Sequence, residues 1–171
     1  MKSFLKLLCT LLLGAAWLSA AEAPKKNWTP PPYKIYAQTL CDQIMAQHPE
    51  LISVTIHAVP AGTPEVYTMI AGSFPERIGN PDDEDDIMII KLGITIVDPR
   101  WHRTKDTVKK FVMMMPLRDA SGETCGSLIL AYKNDGANAR GERGFFTMAS
   151  DLRDGLQKKI PSSDGLFAKA K

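Results

Sequence analysis

Apolar residues crowd two stretches of the chain, residues 107–117 and 123–133, and the five residues between them, Arg-Asp-Ala-Ser-Gly, carry turn chemistry with Gly122 as the left-handed position. The pattern predicts a long β-hairpin. Taken alternately, the first arm sets Lys109, Phe111, Met113, Met115 and Leu117 on one side and Val108, Lys110, Val112 and Met114 on the other, so both sides are largely apolar. A sheet buried on both faces needs helices over one and a second cover over the other, which can be loops, a partner or a small enclosed space. Ordinary core filling accounts for Met113, Met114 and Met115, although methionine also adapts to soft apolar ligands.

Elsewhere the periodicity changes. Tyr33, Tyr36, Ala37, Leu40, Ile44 and Met45 recur at helical spacing over residues 33–47, and His48-Pro49 ends that helix. Residues 51–59 alternate, with Ile52, Val54, Ile56 and Ala58 on the side expected to meet the helix and Ser53, Thr55, His57 and Val59 on the other. Small hydroxyls and an imidazole in one row suit either a lined cavity or a solvated face. After a turn at residues 60–64, residues 65–71 return as a second strand. The acidic run 82–86 is too polar for a core. Asp82 or Asp83 is expected to cap a helix over residues 84–92, with acids complementing the helix dipole and Gly93 ending it. The run lacks the alternating oxygen ligands and glycine of a calcium loop. Residues 93–97 read as a short strand. Phe145, Phe146, Met148, Ala149, Leu152, Leu156 and Ile160 predict a closing helix over residues 142–160, weakened by Gly155 and stopped by Pro161. Residues 161–171 read as a flexible tail.

Composition is that of an ordinary globular protein: 171 residues, 44% hydrophobic and 23% charged, enough for one core. The start is different. Lys2 and Lys6 lead into an apolar run followed by Ser19 and Ala21, the small residues a signal peptidase accepts, so residues 1–21 read as a signal peptide cut after Ala21. Residues 22–32 then form a proline-rich linker and residues 33–160 a single domain. Loss of Lys2 and Lys6 takes the 21 basic residues to 19, equal to the 19 acidic ones. A neutral product without a basic stripe argues against nucleic acid, and no second apolar run approaches spanning length, so no membrane insertion is expected after signal removal. The expected address is periplasmic or secreted. Export would permit a disulfide between Cys41 and Cys125; two buried thiols are the other outcome.

Candidate chemistry is thin. Asp98, Arg100, Trp101, His102 and Arg103 make the densest mixed cluster, able to hold a small anion through guanidinium forks and an indole, or to serve as a loop plugged by Trp101. Cys125 with His57, or Asp98 with His102, would be the reacting pairs of an enzyme, but neither has a motif, and none of this amounts to an expected activity. His48, His57 and His102 lack metal-ligand spacing, so neither a metal nor a cofactor is expected.

The order of elements, together with Ala-Gly-Ser-Phe-Pro-Glu-Arg-Ile-Gly at residues 71–79 and Met-Pro-Leu-Arg-Asp-Ala-Ser-Gly-Glu-Thr-Cys-Gly at residues 115–126, resembles extracytoplasmic PAS-like sensor domains of the Cache group over residues 33–133. The resemblance implies an α+β fold, a five-stranded antiparallel sheet with N-terminal and C-terminal helices packed on one face. It also implies a small acid, amino acid or similar metabolite held near Tyr67, Arg77, Asp98, Arg100 and Trp101, with His57 from the polar row beside them. No membrane helix or signalling module follows, unlike in that group. The expected function is therefore an exported, non-enzymatic small-molecule-binding domain. An interaction module docking an envelope protein through the sheet edge or the methionine row is the alternative, and an enzyme comes third.

Overall fold

The computed structural model describes residues 24–98 and 107–171. In chain order the elements are α1 (Tyr36–Gln47), β1 (Leu51–Ala58), β2 (Thr68–Gly72), a 3-10 turn (Pro75–Arg77), α2 (Glu84–Leu92), β3 (Ile96–Asp98), β4 (Lys110–Arg118), β5 (Thr124–Lys133), a second 3-10 turn (Gly136–Asn138), α3 (Glu142–Gln157) and α4 (Ser163–Phe167). All strand pairs are antiparallel, in the order β2-β1-β5-β4-β3. The fold is the expected α+β arrangement, a five-stranded sheet with the terminal helices on one face.

Both faces of the central hairpin are covered, as its pattern requires. Phe111, Met113, Met115 and Leu117 join Leu128, Leu130 and Tyr132 in the main core beneath α1, α3 and α4. Phe145 of α3 stacks on Phe111 with 4.5 Å between ring centroids and tilts against Tyr132 at 5.5 Å; each such pair adds about 0.5–1.5 kcal/mol beyond its area burial. On the opposite face Val112, Met114 and Ala131 pack with Ile89 of α2 in a second, smaller cluster. Asp83 caps α2, its carboxylate accepting from the Asp86 N–H, and Gly93 ends the helix in the left-handed conformation.

Several expectations are corrected. The second strand begins at Thr68 rather than residue 65, because Thr63 and Val66 are still folded into turns on Pro60 and Thr63. Ile52 leaves the row of Val54, Ile56 and Ala58: an irregularity between Leu51 and Ser53 puts Leu51 in the main core and Ile52 against the second cluster. Within the proline-rich linker, residues 24–32 are tied to the domain: Asn27 donates its N–H to the Gly79 carbonyl and its side-chain amide to the Tyr67 carbonyl, and Trp28 packs on the core. Residues 161–171, expected to fray, contain α4 with Leu166 fully buried, and Lys169 bridges to Ile35. Cys41 and Cys125 are free, buried thiols rather than a disulfide. Burial pushes Cys125 up to about 12, with the nearby Asp119 charge adding to it, and the same effect raises Cys41. The expected signal peptide lies outside the described residues.

Candidate functional site

Strand register builds a polar and apolar floor on the α2 face of the sheet. Opposed pairs run Ser53, Ala131, Val112, Asp98 in one row and Thr55, Ile129, Met114, Ile96 in the next, while His57 faces Ser127. Side chains in these rows share a face because the strand period is two. Phe74, Arg77, Asp83 and Asp86 rise around the floor, enclosing a hollow of about 270 Å3 that also meets Lys110. The polar row of β1 thus lines a cavity.

At one end of this hollow lies a buried polar triad. His57 Nδ1 is 2.6 Å from Asp82 Oδ1 and 3.5 Å from Asp86 Oδ2, and its Nε2 is 2.9 Å from the Thr55 hydroxyl. Asp86 is raised to about 6 chiefly by burial; the His57 imidazole pulls the other way, and Asp82, Asp83 and Asp85 add to the rise. Desolvation outweighs the His57 contact here. Arg77 sits over the Phe74 ring at 5.5 Å, which holds its guanidinium on the rim.

Of the residues expected to bind a ligand, His57 and Arg77 line the hollow. Asp98 ends β3 on the same face by register, at the sheet edge. Tyr67 is not among the lining residues; its ring lies under Lys91 Nζ at 5.1 Å, and its carbonyl fastens Asn27 and Asp82. Arg100, Trp101 and His102 lie outside the described residues. Cys125 and His57 do not come together: an irregularity beside Leu117 turns Cys125 into the main core, where its thiol donates to the Leu117 carbonyl at 3.5 Å. The row Met113–Met115 is buried, which removes it as a docking surface.

In the sequence Asp82 and Asp86 belong to an acidic run that reads as the start of a helix. The legible signal was in α2 itself, since Asp86 stands three residues before the buried Ile89 and so on the inward face. Nothing local marks Asp82. A larger hollow of about 450 Å3 lies where α1 meets the C-terminal residues, but among the described residues its walls, from Tyr36 and Thr39 to Lys171, offer no acidic or imidazole side chain.

A scan against protein-family models finds no match, and neither does a search of curated proteins. Solved structures do match. The chain is similar to a GAF domain of A. aeolicus in an inactive state, at 12% identity over 78% of this chain and 85% of that one, with a TM-score of 0.51. It also matches a type II free methionine-R-sulfoxide reductase from Thermoplasma acidophilum, at 13% identity over 73% and 92% of the two chains with a TM-score of 0.44. A third match is the inducer-binding domain of the PobR transcription factor from Acinetobacter, at 13% identity over 72% and 97% with a TM-score of 0.41. At 12% identity the likeness to the GAF domain speaks to fold alone, and the fold is GAF/PAS-like.

Proposed function

We propose that the chain is an exported, non-enzymatic sensor-type domain of the Cache kind that takes a small carboxylate or amino acid into the hollow beneath α2. One observation carries the reading: a space of about 270 Å3 is bounded by groups of both signs, Arg77 and Lys110 with Asp83 and Asp86, above the apolar Val112, Met114 and Ile129. An amino acid presents a carboxylate for a guanidinium fork, an ammonium for an acid, and a side chain for an apolar floor. The GAF/PAS-like fold supports such a role by analogy only.

Thermal-shift screening of the purified protein against carboxylates and amino acids tests it. A ligand present at 100 times its dissociation constant adds about 2.7 kcal/mol of stability, and Arg77→Ala should abolish the response to carboxylates. A broad library without a hit would end this reading. Export rests on the leader and is checked separately: the mature protein recovered from outside the cytoplasm should begin at Glu22. An envelope partner is the second reading, favoured by Met88 and Leu92, which lie one turn apart on α2 and are 42% and 65% exposed; the pair Met88→Lys and Leu92→Lys should then release a protein captured from envelope extract.

A further inference from the structure

His57, Asp82 and Asp86 are presented by three firmly held pieces of backbone. His57 lies in β1, hydrogen-bonded between β2 and β5. Asp82 follows the bridge between Thr68 and Pro81, and its N–H donates to the Tyr67 carbonyl at 3.1 Å. Asp86 belongs to the capped first turn of α2. One donor atom from each of the three lies within 4.8 Å of the others, a spread within reach of a single cation bound at about 2.0–2.6 Å.

Hydrogen bonding inside the cluster leaves it incomplete. A single imidazole nitrogen, Nδ1, serves both Asp82 Oδ1 and Asp86 Oδ2, while the second oxygens, Asp82 Oδ2 and Asp86 Oδ1, are buried without a hydrogen-bond partner among the described residues. The side chain of Asp82 is 0% exposed and that of Asp86 10%. One imidazole faces two buried carboxyl groups. Unmatched buried charge is costly, whereas a divalent ion matches both acids and gives the idle oxygens a partner. The imidazole is already oriented for this. With Nδ1 on an ion, Nε2–H is left to donate to the Thr55 hydroxyl 2.9 Å away, the kind of outer contact that fixes metal-binding histidines. Ser127, opposite His57 in register, offers a further buried hydroxyl without a hydrogen-bond partner among the described residues.

We propose that His57, Asp82 and Asp86 bind one divalent transition-metal ion at the edge of the hollow, with His57 and Asp86 leaving it accessible from the cavity they line. One imidazole nitrogen with two carboxylates favours Zn2+ or Mn2+ over Ca2+ and Mg2+, which prefer an all-oxygen shell. The site stands whether or not an organic ligand enters the hollow.

The test uses metal alone. Protein stripped with a chelator and dialysed against Zn2+ or Mn2+ should retain one ion per chain by elemental analysis, and saturating metal should raise its melting temperature by ~5 °C or more. His57→Gln, Asp82→Asn and Asp86→Asn should each weaken binding at least about tenfold, the lower end of what even outer contacts contribute. Asp151→Asn, an exposed change on α3 across the sheet, should leave the metal affinity unchanged. Should the triad variants fail to fold, Co2+ added to the wild type should still give a d–d absorption band that Zn2+ displaces. Stripped protein that binds none of these ions, or an Asp82→Asn/Asp86→Asn double variant that binds as tightly as wild type, overturns the proposal.

Discussion

Asp119 closes the β4–β5 turn. Its Oδ1 accepts from the Ser121 hydroxyl at 2.6 Å and from the backbone N–H groups of Ser121 and Glu123 at 2.9 and 3.2 Å. The Ser121 hydroxyl, with the backbone donors behind it, holds this carboxyl below the usual carboxylate range. A depressed acid contributes stability that is present above the unfolded value of about 3.9 and is lost as pH falls through the folded value. Asp119→Ala should therefore melt below wild type at pH 7, with the gap narrowing as the pH falls below about 4; a gap independent of pH would mean that the turn contact is steric rather than ionic. Gly126 illustrates a different constraint. A Cβ there would lie 2.4 Å from the His57 carbonyl oxygen, so β1 and β5 approach each other closely beside the triad. Gly126→Ala should destabilise by about 1–3 kcal/mol, the range for overpacking, and urea denaturation reads it directly. Because the clash falls on the His57 backbone, the same variant should bind metal more weakly.

At the level of elements, local pattern and capping chemistry were reliable guides. The range of α2 follows from Asp83 and Gly93, and the central hairpin from its two apolar rows, because both signals are written in neighbouring residues. What escaped was decided over long separations. The irregularities beside Leu51 and Cys125 send side chains to the opposite face without leaving a compositional trace. His57 meets acids 25 and 29 positions away, a distance in sequence that neither periodicity nor histidine spacing can sense. The helix α3 gives a test where the sequence reading and the structure agree. Gly155 lies inside it with open space where a Cβ would go, so its cost there is entropic rather than a packing requirement. Gly155→Ala should stabilise the protein by about 0.5–1 kcal/mol, seen as a melting temperature higher by about 1–4 °C.

Across the whole molecule the sheet separates two tasks. The face under α1, α3 and α4 carries the main core, and the face under α2 carries the hollow, the triad and only a small apolar cluster. The segment after Pro161 belongs wholly to the first. Leu166 is buried in the core, Phe167 meets Trp28 edge-on at 6.0 Å, and backbone bonds join Ala168 to Tyr36 and Ala170 to Lys34. Removing residues 162–171 should therefore cost at least the burial of Leu166, about 1.5–3 kcal/mol, and lower the melting temperature by roughly 3–12 °C at 2–4 °C per kcal/mol. The same truncation leaves β1, α2 and the triad of His57, Asp82 and Asp86 untouched on the far side of the sheet. Metal affinity, measured at a temperature where the truncated chain is still folded, should stay within about twofold of wild type if the two faces act independently. A truncated chain that is folded by circular dichroism yet has lost its metal would show instead that α1, clamped by α4, sets the position of β1 and with it His57.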